Sequence, residues 1–289
     1  MTGSLLLHAP TALEYFASLV ADDASFALTE TAISIAHDEF PALDTQGVLG
    51  EIDALGARLK ARIAADAAPM QRLRLLNRFF FQELGFAGNV NDYYDAKNSY
   101  LHCVLQTRRG IPITLAVLYI EIASQVGLHP NGVSFPGHFL VKLRMPQGEV
   151  VIDPFTGQSM SREALDALLV PYRRREGESG DSPVSLALFL QAASPRQIIA
   201  RMLRNLKEIH RGNEDWRRLY AVTQRLVVLL PGAWEERRDR GLAAAELGSV
   251  REAVADLRTY LENVPQAGDR FAINERLIEL GHGDPSRLH

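Results

Sequence analysis

The chain has 289 residues, enough for two domains at about 150 residues each, and with 47% hydrophobic and 23% charged residues it is not a disordered polypeptide. Its 31 basic and 35 acidic side chains leave a formal charge of -4, which excludes the strongly basic balance of a dedicated nucleic-acid binder. A single cysteine, Cys103, supports neither an internal disulfide nor a Cys-rich metal framework, so the chain reads as a protein of the reducing cytoplasm.

The first ten residues lack a basic leader, and the longest apolar run, Ile111 to Ile120, meets Glu121 well short of the ~18 residues a membrane span needs. Neither export nor a membrane partner is expected. The first 90 residues read as helices. Between Gln71 and Leu84, Leu73, Leu76, Phe80 and Leu84 recur at helical spacing, and Gly85 is a natural stop. The following segment, FAGNVNDYYDAKNSYL, has the Gly, Asn, Asp and Tyr content of a loop. Within it Asn91, Tyr93, Tyr94 and Asn98 are candidate binding residues that line a cleft as a lid. The competing reading is a capping loop whose tyrosines plug the core, with Asn98 satisfying backbone groups and Ser99 capping a helix from Tyr100.

A second helix is predicted from Pro112 to Val126, with proline in the first turn, where its missing N–H has no partner to lose, and Gly127 beyond the end. Short β-rich runs follow at Gly132 to Phe135, Phe139 to Leu143 and Glu149 to Ile152, the last two a hairpin about Met145 to Gly148. If Arg144 closes against Glu149, then Leu140 opposes Asp153 and His138 is its diagonal neighbour on one sheet face, within reach of a hydrogen bond. A slip of one residue separates them to opposite faces. Arg173 to Ser185 is polar and punctuated, an exposed linker, and divides the chain into residues 1–194 and 195–289.

Helical periodicity then resumes, and Pro231 and Pro265 lie 34 residues apart, the tetratricopeptide period. Gly241 and Ala253 fall where helix pairs need small residues, whereas Lys207 and Ala244 depart from the repeat pattern, which leaves unrelated helical hairpins as the alternative. Two repeats and a last helix from Arg270 to Leu280 are too few to bury their own faces and are expected to lean on the first domain. Residues 201–240 carry 10 basic and 6 acidic side chains, read as a solvated helix face.

The sequence RRGIPITLAVLYIEIASQVGL, followed by FPGHF and VIDPF, resembles the core of transglutaminase-like proteins, in which a nucleophilic cysteine opens a helix and a histidine and an aspartate follow on successive strands. Taken with FAGNVNDYYDAKNSYL and the repeat tail, nearly the whole chain resembles the bacterial SirB-type proteins. The resemblance implies an α+β, papain-like transglutaminase core, helices plus a small antiparallel sheet, followed by an all-α tetratricopeptide tail. Gly110, Ala116 and Gly127 hold the family's offsets, His138 matches its histidine and Asp153 its aspartate, but Pro112 stands in the place of the cysteine. Proline has no nucleophilic atom and no N–H, so no confident catalytic residue remains at that position.

Cys103 is an alternative nucleophile among apolar neighbours that favour burial, and Thr114 and Ser99 are nearby hydroxyls. A metal site drawn from His138, Asp153 and His102 has no characteristic spacing, and no phosphate-cradling glycine loop is present. No metal or cofactor is therefore expected. The resulting expectation is a non-catalytic, regulatory transglutaminase-like pseudoenzyme. It would bind a protein or peptide partner through a cleft bearing Asn91, Tyr93, Tyr94, Asn98, Gly137, His138 and Asp153, or through the helical-repeat groove. The competing class is a hydrolase or transferase rebuilt around His138 and Asp153.

Overall fold

A computed structural model of the chain describes residues 10–175 and 185–282. The contacts of the described residues form two compact units, one within residues 23–202 and one that joins residues 10–22 to residues 203–282.

The first unit is α+β. Helices α2 (Leu28–Ser34), α3 (Thr45–Lys60) and α4 (Pro69–Asn77) follow α1 (Ala12–Leu19), and α4 runs on through a π-helical turn, Arg78–Glu83. Gly85 then turns the chain with φ of +73°. Two-residue strands β1 (Ala87–Gly88) and β2 (Arg109–Gly110) pair in parallel and flank α5 (Leu101–Thr107). Helix α6 (Pro112–Gln125) is buried at every position from Pro112 to Tyr119, because its apolar residues surround the axis instead of forming a stripe. It packs against α2, α3 and α5 and against strands β3 (Pro130–Val133) and β4 (Leu140–Met145).

β4 and β5 (Gly148–Ile152) form the expected hairpin, with Arg144 opposite Glu149 and Met145 opposite Gly148. β3 ends at Val133, two residues before the predicted end. The chain turns through Ser134 to His138, where Pro136 offers no ladder donor and Gly137 adopts φ of +66°. α7 (Arg162–Arg175) carries the backbone through Pro171 into the start of the expected linker, and residues 176–184 of that linker lie outside the described residues. α8 (Leu186–Phe189) and the first turns of α9 (Pro195–Gly212) complete the unit. Ala193 N–H donates to the Gly132 carbonyl, and a Cβ on Gly132 would press on Phe139 and Ile198, so glycine at this position lets α9 lie against the sheet.

In the second unit α10 (Trp216–Leu229), α11 (Trp234–Glu246), α12 (Val250–Asn263) and α13 (Arg270–His282) follow α9, each of α10 to α12 packing on the next, and α1 packs on α10, where Arg225 lies over the buried Phe16 ring. The small residues serve close approach: a Cβ on Gly241 would meet Asp256 and Leu257 of α12 at about 3 Å. The charge of residues 201–240 is only in part a solvated face: Glu208 and Arg218 are exposed, but other charges turn inward. Lys207, Glu236, Asp239 and Asp256 are all buried. Lys207 Nζ bonds Glu236 at 2.6 Å and Asp239 at 2.8 Å, and Arg204, Arg211 and Arg238 close on the same two carboxylates. Lys207 departs from the repeat pattern because its position bridges the first helices of the two repeats by ion pairs where a small residue would allow packing alone.

Lys207→Met should lower the unfolding free energy of the protein by about 2–3 kcal/mol in urea titration, less than for an isolated buried pair because the arginines keep both carboxylates partly paired. A loss under about 0.5 kcal/mol would show that the network does not hold these helices together.

Candidate functional site

Asp153 leaves the end of β5 in a tight turn that its own backbone closes, its N–H donating to the Gln158 carbonyl and its carbonyl accepting from Gly157 N–H. The carboxylate is buried, and two of its bonds are local. Oδ1 accepts from Phe155 N–H at 2.8 Å and Oδ2 from the Thr156 hydroxyl at 2.9 Å. Oδ1 also lies 2.9 Å from His138 Nε2. The imidazole is 21% exposed against 9% for the carboxylate, so the pair is a solvent-reachable histidine backed by a buried acid. That arrangement fixes ring orientation and assigns Nε2 as the nitrogen facing the acid. Burial pushes the Asp153 carboxyl up, but the His138 hydrogen bond and charge, the Phe155 N–H and the Thr156 hydroxyl outweigh it and hold the pKa below the ordinary carboxylate value.

Three walls surround the pair. A Cβ on Gly88 would overlap the Phe155 ring, and Gly88 N–H donates to the Phe155 carbonyl, so β1 sits directly on the turn after Asp153. The Tyr93 ring lies 6.0 Å from that of Phe155. On the other side the Tyr172 hydroxyl rests against Gly137, where a Cβ would overlap it, and Phe135 carbonyl accepts both the His138 N–H at 3.0 Å and Arg201 Nη1 at 3.1 Å. Phe155, Thr156, Tyr172 and Arg201 were not singled out in the sequence. Thr156 follows the VIDPF motif within three residues, but Tyr172 and Arg201 come from remote helices with no local signal.

The loop residues divide. Asn98 is buried, its amide donating to the Asp92 and Tyr93 carbonyls while its Oδ1 accepts from Asn89 Nδ2. It holds the loop's shape. Tyr93 is 42% exposed beside Phe155, and Tyr94, 78% exposed, stacks edge-on against Tyr93. Neither tyrosine plugs the core, which overturns that part of the alternative, whereas Asn98 satisfies backbone groups as it expected. Asn91 is exposed, and no hydrogen bond ties it to the dyad. Ser99 does not cap the next helix: α5 has Tyr100 at its N-cap with no side-chain bond, and Ser99 Oγ is buried without a partner among the described residues.

At the start of α6, Pro112 is buried in the first helical turn. Thr114 Oγ1 donates to the Asn98 and Ile111 carbonyls, tying that helix to the loop. Cys103 is buried with Sγ 3.2 Å from His102 Nε2, and burial pushes the thiol pKa up and that of His102 down, so the pair is held neutral. A separate cavity of about 720 Å³, lined by Met70, Leu73, Asn77, Val151, Ser159 and Met160, contains neither His138 nor Asp153. Among the described residues no three His, Cys, Asp or Glu side chains converge as metal ligands.

The profile of the Transglutaminase-like superfamily matches residues 46–204, and that of the Tetratricopeptide repeat matches residues 206–278. A UPF0162 protein of Xylella fastidiosa (strain Temecula1) is 37% identical over 263 residues, covering 90% of this chain and 92% of the relative. The chain belongs to the UPF0162 family. A UPF0162 protein of Vibrio cholerae is 30% identical over 75% of this chain and 79% of its own, and the UPF0162 protein YchA of Escherichia coli K12 is 26% identical over 84% and 88%. No solved structure matches. The UPF0162 chain thus combines a transglutaminase-like core with a tetratricopeptide tail, and none of its described helices is long and apolar enough to cross a membrane.

Because the folded pKa of Asp153 lies below its unfolded value, its ionised form contributes stability that is present above about pH 4 and lost as pH falls through the folded pKa. Thermal melts from pH 7 to pH 3 should therefore show wild type well above Asp153→Asn at neutral pH, with the gap narrowing below about pH 4. Parallel curves would mean that the carboxylate is not stabilised in the fold. Tyr94→Ala should change stability by less than about 0.5 kcal/mol in urea titration, as for a surface side chain, whereas a loss near 3 kcal/mol would restore the plug.

Proposed function

We propose that this protein is a non-catalytic transglutaminase-like module, a pseudoenzyme, that binds a protein or peptide ligand at the His138–Asp153 site. The observation that carries the reading is Pro112, buried at the head of α6 in the place of the family's nucleophile. Acyl transfer through a covalent intermediate needs an atom there that attacks a carbonyl, and a thiolate at a helix N-terminus is stabilised by the dipole and free N–H groups. Proline offers neither. The other candidates fare no better: Cys103 is held as a neutral thiol, and the Thr114 hydroxyl is engaged by two backbone carbonyls.

What remains at the site is recognition chemistry. His138 presents an oriented imidazole with Tyr93 and Tyr172 nearby, the mixture of flat apolar faces and polar tips that orients a ligand. The tetratricopeptide tail supports a role in protein association, and a groove of about 920 Å³ between α12 and α13, lined by Val250, Val254, Leu277 and the exposed Ile278, adds an apolar surface for a partner. A lone buried thiol supports a reducing, cytoplasmic setting.

The rebuilt-hydrolase reading draws on the same dyad, since a carboxylate-backed imidazole can activate water. Assays of glutamine-peptide deamidation and of p-nitrophenyl ester hydrolysis separate the two. The expected result is no His138-dependent turnover in wild type and no thiol-dependent turnover in Pro112→Cys, because a nucleophile misplaced by about 1 Å loses on the order of 100-fold in rate. Turnover by wild type that His138→Ala abolishes would establish the hydrolase and overturn the pseudoenzyme, and robust turnover by Pro112→Cys would show that only the thiol is missing.

A further inference from the structure

Arg201 is the least explained cation of the first unit. Its guanidinium is partly buried, with Nη1 donating to Ser134 Oγ at 2.7 Å and to the Phe135 carbonyl at 3.1 Å and the carbon centre 5.6 Å from the Phe139 ring. No carboxylate pairs with it among the described residues. This contrasts with Arg204, Arg211, Arg238 and Arg240 further along the chain, each of which closes on an Asp or Glu. The titratable groups around it are instead the Tyr93 and Tyr172 phenols, which carry no charge at neutral pH. Burial lowers the guanidinium pKa and the two phenols only partly offset it, as expected for a desolvated cation that lacks a counter-charge.

The contacts already made leave a defined edge free. With Nη1 held by Ser134 and Phe135, the Nε–H and Nη2–H groups form the fork that engages a planar carboxylate by two parallel hydrogen bonds. Neither nitrogen is among the buried, unpartnered polar atoms of the described residues. The fork also belongs to the His138 site. Phe135 carbonyl receives Arg201 and the His138 backbone together, Tyr172 touches Gly137, and the Tyr93 ring lies against Phe155, whose backbone N–H holds Asp153. Arg201 and His138 therefore share the Phe135 carbonyl, and Tyr172 and Tyr93 pack against residues next to His138 and near Asp153.

We infer that Arg201 is an oxyanion-binding subsite that takes a carboxylate of the ligand, the terminal carboxylate of a peptide chain, while His138 and the Tyr93 and Tyr172 hydroxyls contact the adjoining residue. The peptide identity rests on the binding reading above, whereas the carboxylate subsite stands on Arg201 alone. A partly buried cation in a transglutaminase-like cleft without a counter-ion among the described residues is a cost to the free protein that a bound anion removes.

The test titrates the full chain with acetate, with inorganic phosphate and with the tripeptide acetyl-Ala-Ala-Ala as free acid and as amide, at constant ionic strength against chloride. Binding is followed by the Arg Nε–H resonances in NMR and by thermal shift. Saturable binding of acetate or the free acid that moves the Arg201 resonance and weakens about 10- to 100-fold in Arg201→Lys, which keeps the charge and loses the fork, supports the subsite. Phosphate binding as tight as the free acid's would reassign the fork to phosphate and overturn the carboxylate. If Arg201→Lys does not fold, protection of Arg201 in wild type from phenylglyoxal by the free acid, read by mass spectrometry, serves in its place. Acetate binding at Arg201 with no gain for the tripeptide keeps the subsite and refutes the peptide ligand. Equal binding of acid and amide, indifferent to Arg201, refutes the subsite and leaves the peptide reading intact. No binding by any probe overturns the subsite.

Discussion

The organisation of the site depends on one buried carboxylate. Removing Asp153 from water is unfavourable unless each oxygen finds a donor, and the donors lie within three residues along the chain and one residue across the sheet: Phe155 N–H, Thr156 Oγ1 and His138 Nε2. Satisfying them sets the turn after β5. That turn delivers the Phe155 ring onto Gly88, and Gly88 belongs to the short parallel pair that also carries Gly110, two residues before Pro112. The dyad, the loop and the head of the central helix are therefore linked through backbone contacts, and the carboxylate is the point where the linkage would first fail.

The tail solves the burial of its helices differently. Its repeats keep small residues where α11 and α12 approach, yet between α9 and α11 it substitutes a lysine and two carboxylates for apolar packing. Such pairs are costly to desolvate and derive their worth from geometry, so this interface is specific in register more than it is strong. Arg201 and Lys207 lie on the same helix six residues apart, one without a counter-charge and the other with two. The difference separates a cation positioned for an external ligand from one positioned for the fold.

Much of this was legible in the sequence because it is local. The all-round apolar character of Pro112 to Ile120, the proline at its head, the glycines at 85 and 127 and the hairpin register about Met145 to Gly148 follow from periodicity and turn stereochemistry, and the register in turn placed His138 beside Asp153. The misreadings have a common origin. Ser99 looked like a cap and instead lies buried with its hydroxyl unmatched, because Asn98 next to it is held by the loop carbonyls and draws the segment inward. Residues 201–240 looked like a solvated face because charge alone does not reveal whether its partners sit on the next helix.

The sequence by itself therefore determined the helices, the hairpin and its parity and the 34-residue repeat, since each depends on residues close along the chain or at fixed spacing. Only the tertiary structure decided which side chains wall the dyad. Tyr172 and Arg201 reach it from α7 and α9, and no spacing along the chain encodes the approach of elements separated by dozens of residues. Burial and counter-charge are likewise properties of the packed interior. Only there did Lys207 become a structural ion, Tyr93 and Tyr94 surface residues, and Arg201 a cation with its fork open.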